Sequence, residues 1–272
     1  MRSTASVPRV ALLALLAVLV PSAVQAQTLE NPFDAEQQRL ADEVRQRGRS
    51  ARAILPLIQL NGGSGNVRPE ITVAHLQRLS VERRLSPAVR MYARALLARA
   101  GTRAGDPDAT RDELDALGYV RGWRVIGSFD NEGKTGFARE YGPEAARMAP
   151  LDPDVTYEGR EREARWREYP EVTRGGYISF DAVFRPRENV CGYAETFVES
   201  ERARALTLWV GGGGATRVWW NGEVVHEDEA YRAPHFDRAV AVVGAHRGLN
   251  RVLVKTCVTD GRWGFYLRVA DG

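Results

Sequence analysis

The stretch Thr207–Val225, TLWVGGGGATRVWWNGEVV, decides the fold class of this chain. Its Asn221-Gly222 pair stands between two apolar runs, and both residues tolerate the positive φ angles of a type I′ turn. The alternation on either side of the pair is typical of β-strands. The stretch therefore predicts a hairpin of an antiparallel β domain, preceded by a glycine-rich crossing, and it specifies no reaction.

Similar short patterns recur through the second half of the chain. Glycine and proline turns separate them and no helical pattern intervenes, which argues against a parallel sheet and favours a sandwich or barrel. The patterns occur at residues 123–130, 177–184, 192–198, 205–210, 216–220, 223–226, 239–243, 251–258 and 264–269.

The first half of the chain has a helical pattern from Asp34 to about Gly118, broken by the glycines and proline of residues 61–70. Ser86-Pro87 predicts the start of a helix, with Ser as N-cap and Pro at the first helical position. We therefore predict an α+β protein in which a helical segment over residues 27–117 precedes an antiparallel β-sandwich over residues 118–272.

Residues 1–26 have the pattern of a secretory signal peptide. Arg2 and Arg9 precede an apolar run, Ala11–Val20, and small residues lead to a cleavage site after Ala26. The run is shorter than the roughly 20 residues that a membrane span needs. We expect an exported chain, periplasmic, envelope-associated or extracellular, that does not span a membrane.

The charge balance gives no reason to expect nucleic acid as a partner. The chain has 38 basic and 35 acidic residues, and two of the basic ones, Arg2 and Arg9, leave with the leader. Acids are interspersed among the arginines, as in REREARWRE at residues 160–168, whereas phosphate neutralisation needs a concentrated basic surface.

The two cysteines, Cys191 and Cys257, each lie in a predicted strand of the β domain. An exported chain matures where disulfides persist, so one bridge forms if these strands are adjacent or face each other. Two buried thiols are the alternative, because cysteine also suits a β core.

Several motifs carry a family resemblance: WRVIGSFDN (123–131), YGPE (141–144), YEG (157–159) with Trp166, GYAETFV (192–198), LWVGGGGATRVWWNGE (208–223), GLNRVLVK (248–255) and WGFYLRV (263–269). On these residues the chain resembles the galactose-binding-domain-like jelly roll of exported bacterial proteins. The resemblance implies a jelly-roll β-sandwich over residues 118–272, and as a guide to function it is poor. The helices resemble, weakly, the packed hairpins of tetratricopeptide arrays.

Aromatic side chains are the candidate ligand-binding residues, because an exposed ring can stack on a sugar. Alternation places Trp219 and Trp220 on opposite faces of one strand, so one enters the sandwich core and the other lies outside it. Tyr231 and Tyr266 complete the set, and core packing is the alternative for all four. For Trp263 we favour the core.

No motif predicts a metal site, a cofactor or a catalytic centre. The four glycines Gly211–Gly214 lack the carboxylates that a calcium loop needs. The segment 226–237 contains His, Glu, Asp and Tyr side chains, yet their spacing fits no ligand motif, and a solvated loop is the better interpretation. No nucleophile elbow, zinc motif or phosphate loop is present.

The sequence thus predicts an exported, non-catalytic binding protein whose sandwich recognises a glycan or an envelope protein. One alternative is a structural or assembly protein of the envelope that acts through its helices. The other is a glycosidase-type enzyme, which would need two carboxylates converging in one cleft.

Overall fold

The computed structural model describes residues 31–104, 107–149, 152, 154–170 and 175–271, and of residues 102–104, 107 and 109 only the backbone is described. The predicted leader, residues 1–26, lies outside the described residues. Helices come first and antiparallel sheets follow, so the α+β prediction is confirmed.

Five helices form the first half of the described chain. The Ser86 hydroxyl accepts a 3.4 Å hydrogen bond from the amide of Val89, as the predicted N-cap requires. Leucines on all five helices, including Leu40, Leu57 and Leu76, are buried between them. The helices are α1 (Pro32–Arg47), α2 (Ile54–Gly62), α3 (Pro69–Val81), α4 (Pro87–Ala104) and α5 (Pro107–Ala116).

Two antiparallel sheets pack face to face in the second half. The larger has the strand order β4-β1-β6-β11-β8-β9 and the smaller has the order β10-β7-β12-β5, while β2 and β3 form a separate hairpin. The strands are β1 (Arg124–Asp130), β2 (Thr156–Glu158), β3 (Glu163–Arg165), β4 (Arg167–Glu168), β5 (Tyr177–Ser179), β6 (Val190–Ser200), β7 (Arg204–Gly213), β8 (Ala215–Trp220), β9 (Glu223–Asp228), β10 (Ala239–Ala245), β11 (Gly248–Val258) and β12 (Gly264–Asp271).

The stretch that decides the fold class forms most of β7, all of β8 and the first half of β9. Asn221 and Gly222 have φ angles of 50° and 86°, as a type I′ turn requires. A side chain at Gly211 would overlap the carbonyl of His235, and one at Gly212 would overlap Thr216. The glycine run therefore admits the close approach of other segments of this same chain.

The strand predicted over residues 177–184 is shorter than expected. After β5 the chain turns through a short helix, residues Phe180–Val183. The ring centroids of Phe180 and Phe184 lie 5.2 and 5.5 Å from that of Trp263. The turn places both phenylalanines against Trp263 in the core, whereas positions four residues apart in an extended strand would lie about 13 Å from each other along the sheet.

A covering layer lies on the outer face of the six-stranded sheet. It consists of residues 131–149, which include a short helix at Gly142–Ala145, and of the β2–β3 hairpin. Its aromatic side chains, Phe137 and Tyr141, pack with Tyr193, Trp219 and Leu253 of the sheet in a second core. The part of the larger sheet beneath this layer is therefore buried on both faces, whereas Phe197 and Leu249 at the ends of β6 and β11 remain exposed.

The helices and the smaller sheet share a third hydrophobic cluster. Phe236, between β9 and β10, contacts Tyr92 of α4 at 5.1 Å between ring centroids, and the Arg99 guanidinium lies 5.4 Å from the centre of its ring. Tyr266 of β12 belongs to the same cluster. No helix among the described residues is long and apolar enough to cross a membrane.

The cysteine bridge predicted as one of two alternatives is present. Cys191 and Cys257 are direct partners on the adjacent strands β6 and β11, with their Cα atoms 4.1 Å apart. The bond closes a loop between positions 66 residues apart in the sequence.

Candidate functional site

A cleft of about 460 Å³ opens in the covering layer. One wall is the segment that leads into the short helix at Gly142, and the other is the β2–β3 hairpin with its turn. The end of β1 forms the base. Its lining consists of three aromatic residues, five charged residues and two glycines: Phe129, Tyr141, Tyr157, Asp130, Arg139, Glu140, Glu158, Arg160, Gly142 and Gly159.

Two tyrosines fix the walls of this cleft. Tyr141 donates its hydroxyl to the carbonyl of Asp130 and packs on Phe129, with ring centroids 4.9 Å apart. Tyr157 lies against Gly142, where any side chain would overlap its ring. Gly142 therefore allows the hairpin to approach the opposite wall.

Tyr157 is the aromatic residue of the cleft that is best placed to meet a ligand. Its side chain is half-buried, whereas Phe129 and Tyr141 are buried. Its hydroxyl has no hydrogen-bond partner among the described residues. Burial raises the pKa of both Tyr141 and Tyr157, so both hydroxyls stay protonated at neutral pH, and the Tyr157 hydroxyl can donate to a ligand.

The charged residues of the cleft differ in the contacts that they make. Asp130 lies 3.7 Å from Arg160, and Glu140 lies 3.3 Å from Arg147, so their carboxylates form ion pairs. Glu158 is exposed and has no ion pair among the described residues. Arg139 lies over the ring of Tyr141, 5.0 Å from its centre. The cleft thus offers hydrogen-bond donors and acceptors of both signs.

A buried ionic network under the covering layer supports one wall. Lys255 of β11 contacts the Glu144 carboxylate and donates to the carbonyls of Phe137 and Arg139 at 3.0 and 2.8 Å. Tyr193 donates to Glu144 at 2.6 Å. Because these bonds link the centre of the sheet to residues 137–144, they position the wall that contains Tyr141.

A second buried pair anchors the end of the same segment. Arg251 lies 2.5 Å from Glu195, and its guanidinium also donates to the carbonyls of Arg147 and Ala149 at 2.9 and 2.6 Å. Burial raises the pKa of Glu195, and Arg251 opposes this shift. Because Arg251 contacts Glu195 in the sheet and also bonds two carbonyls of the covering segment, the pair holds the covering layer on the sheet.

The structure places the two predicted tryptophans on opposite faces of β8, as alternation requires, but both are buried. Trp220 lies in the core between the sheets and donates to the carbonyl of Gly244 at 2.9 Å. Trp219 faces the covering layer, with only 2% of its surface exposed. Neither ring is accessible in this structure.

The other predicted aromatic residues also make internal contacts. Tyr266 is buried against Tyr177, with ring centroids 4.9 Å apart, and Trp263 is fully buried between the sheets. Tyr231 is half-buried, and its hydroxyl and the side-chain amide of Asn131 are within hydrogen-bond distance at 3.1 and 3.2 Å. The structure brings none of the predicted ligand-binding residues into the cleft.

Acidic side chains in and around the segment 226–237 form ion pairs. Asp237 forms a bidentate ion pair with Arg268 at 2.7 and 2.8 Å, and Glu227 lies 2.5 Å from Arg217. Burial lowers the pKa of His226. Within the described ranges of the chain, no three His, Cys, Asp or Glu side chains are grouped as a metal site requires.

The fold and the cleft define a protein with a helical segment and a β-sandwich whose larger sheet is covered by a second layer. No protein-family model matches the chain, and no curated protein matches it either. Solved structures do show similarity to parts of the chain. A β-glucuronidase from an uncultured Clostridium sp. aligns with 51% of it at 17% identity, with a TM-score of 0.32.

Two further solved structures also align with parts of the chain. A β-glucosidase from Kluyveromyces marxianus aligns with 55% of the chain at 7% identity and a TM-score of 0.35. The PA14 domain of the MpAFP antifreeze protein aligns with 30% at 12% identity and a TM-score of 0.27. The aligned part covers only 21% of the glucuronidase and 16% of the glucosidase. Similarity at this level carries no argument about function, and the galactose-binding-like and tetratricopeptide resemblances stay predictions.

Proposed function

We propose that this chain is an exported, non-catalytic protein that binds a glycan in the cleft between Tyr141 and Tyr157. The observation that carries the proposal is the lining of that cleft. A half-buried tyrosine stands among charged side chains of both signs in a depression of about 460 Å³. This volume lies within the range of ordinary small-ligand pockets, about 300–1,000 Å³.

The chemistry of the lining suits a sugar. The C–H face of a pyranose packs on an aromatic ring, and its hydroxyls both donate and accept hydrogen bonds. Tyr157 supplies the ring and a free hydroxyl, Glu158 supplies an acceptor and Arg139 supplies donors. A purely apolar ligand would leave these charged groups without partners, which is costly.

Binding without turnover is proposed because two of the three carboxylates of the cleft are engaged in ion pairs. A two-carboxylate glycosidase needs one acid and one base or nucleophile on either side of the scissile bond. Asp130 and Glu140 are ion-paired with Arg160 and Arg147, which leaves Glu158. Export is supported by the disulfide, since such bonds persist in oxidising compartments.

A glycan array followed by calorimetric titration of the best glycan tests the proposal. Tyr157→Ala is expected to weaken binding about tenfold, which corresponds to about 1.4 kcal/mol. Tyr231→Phe is the control outside the cleft: it removes the hydroxyl that bonds Asn131, and it is expected to leave affinity within about twofold, which also tests the sequence-based prediction that Tyr231 binds the ligand.

Two results would contradict the proposal. One is equal weakening by Tyr231→Phe and Tyr157→Ala. The other is release of reducing sugar from the bound glycan, which would make the chain an enzyme. Failure of every glycan to bind would instead favour the assembly alternative, for which the groove of about 690 Å³ between α3, α4 and α5 is the place to examine.

A further inference from the structure

Five arginine side chains line one open concavity of the helical segment. Arg45, Arg47, Arg49 and Arg52 come from the end of α1 and the turn after it, and Arg84 comes from the turn between α3 and α4. The concavity has a volume of about 820 Å³, and its two other lining residues, Gln46 and Ser50, are polar and uncharged. We call it the arginine concavity.

The two turns that carry these arginines are held together by buried contacts. The Ser86 amide donates to the carbonyl of Gly48 at 2.7 Å. Leu85 is buried against Gly48, where a side chain would overlap it. Ser50 caps the following turn by accepting from the amide of Arg52 at 3.2 Å. The backbone that presents the arginines is therefore fixed by packing.

Carboxylates neutralise only part of this charge. Arg45 pairs with Asp42 and Glu82, and Arg47 pairs with Glu43. Such basic residues in the last turn of a helix are ordinary, because they complement its dipole. Arg49 and Arg52 follow the end of α1, and Arg84 follows the end of α3. None of these three has an ion pair among the described residues. Three uncompensated positive charges therefore converge on one small surface.

We propose that the arginine concavity binds a compact ligand with two or more phosphate groups. A guanidinium donates two parallel hydrogen bonds to phosphate oxygens, and its charge persists at every physiological pH. One phosphomonoester carries a charge of about −1.5 to −2 at pH 7, so two match the three free arginines. The arginines are confined to two turns, which suits a small polyphosphate or a phosphate headgroup. This site is separate from the cleft of the β-sandwich.

Calorimetric titration with inorganic tripolyphosphate tests the inference. The wild-type chain is expected to bind it more tightly than sulfate at matched ionic strength, and to lose affinity as sodium chloride is raised. The double substitution Arg52→Gln and Arg84→Gln is expected to weaken binding at least about tenfold. The matched control is Arg78→Gln with Arg83→Gln, which removes two exposed arginines of α3 and the next turn that do not line the concavity.

Vesicles distinguish the two sources of phosphate. Sedimentation with phosphatidic acid vesicles, but not with phosphatidylcholine alone, would identify a lipid headgroup, and it should be lost in the Arg52 and Arg84 variant. Binding of tripolyphosphate without vesicle binding would identify a free ligand. The inference is overturned if tripolyphosphate binds no better than sulfate, or if the control variant weakens binding as much as the test variant. Circular dichroism is expected to show that both variants retain the fold, and glycan binding should be unchanged in both.

Discussion

The ammonium group of Lys255 contacts the carboxylate of Glu144 at the centre of the layer that covers the larger sheet. Lys255 is fully buried, and Glu144 is 4% exposed. The sheet supplies one partner and the covering segment supplies the other. This pair therefore links the core of the sandwich to the wall of the cleft.

Breaking the pair should destabilise the fold. Lys255→Met and Glu144→Gln are each expected to lower the free energy of unfolding by about 3 kcal/mol, because each leaves a buried polar partner uncompensated. The double variant should lose less than the sum of the two, by about 1 kcal/mol or more. Urea denaturation measures all three, with Lys134→Met as the control at the exposed lysine. Additive losses would contradict the proposed coupling.

The same lysine should titrate near neutral pH. Burial lowers its pKa to about 8, although Glu144 opposes the shift. Lysine amines labelled with 15N would give two signals, since the sequence has two lysines, and Lys134→Met assigns them. The Lys255 signal is expected to titrate near pH 8, and a midpoint close to the ordinary value of about 10.4 would contradict this.

The lowered pKa also fixes the sign of a stability change. Between about pH 8 and 10.4 the unfolded chain holds the Lys255 proton and the folded chain has released it, so stability rises with pH across this window. Below it, both states are protonated and the burial penalty is fully present. The free energy of unfolding of the wild type, relative to Lys255→Met, should therefore increase from pH 8 to pH 9.5. A decrease would show that the sign is wrong.

The disulfide is expected to contribute substantially to stability. It joins positions 66 residues apart, and the loop-closure model gives about 4 kcal/mol for a loop of this size. The variant with Cys191→Ala and Cys257→Ala should lose about that amount in urea denaturation. The free energies of unfolding of the oxidised and reduced wild-type chains, compared after complete unfolding and refolding, provide an independent estimate of the disulfide's contribution. A difference below about 1 kcal/mol would mean that the bond adds little to the constraint of the strand pairing.

Gly142 should be essential to the shape of the cleft. Gly142→Ala places a methyl group where the ring of Tyr157 lies, so Tyr157 must move, and glycan affinity is expected to fall about tenfold. Overpacking should also cost about 1–3 kcal/mol of stability. Gly62→Ala is the control, because a side chain there meets no atom within 4 Å. If Gly142→Ala retains its glycan affinity, Tyr157 does not contribute to the binding site.

Local sequence signals predicted the hairpin and the strand set well. Asn221-Gly222 specifies its turn through backbone conformation alone, so neighbours in the fold are not needed to recognise it. Alternation likewise predicted that Trp219 and Trp220 face opposite sides. What alternation could not reveal is the covering layer, which buries the outward-facing Trp219 as completely as its neighbour.

The cleft was missed because it depends on contacts between distant segments. Tyr141 and Tyr157 stand in motifs that carry the family resemblance, YGPE and YEG, yet neither lies in a predicted strand of the sandwich. Their approach depends on the Gly142 contact and on the bond from Lys255 to Glu144, which are 111 residues apart in the sequence. The signal that the sequence does contain is a tyrosine close to a glycine in each of two polar segments, Tyr141-Gly142 and Tyr157-Glu158-Gly159.

Glycine amide chemical shifts test the location of the binding site most directly. The chain is labelled with 15N-glycine and titrated with the glycan that binds best on the array. If the cleft between Tyr141 and Tyr157 is the site, the amide signals of Gly142 and Gly159 shift together and saturate, while those of Gly62 and Gly244 remain in place. Shifts confined to Gly211–Gly214 or to Gly222, with Gly142 and Gly159 unchanged, would contradict the account.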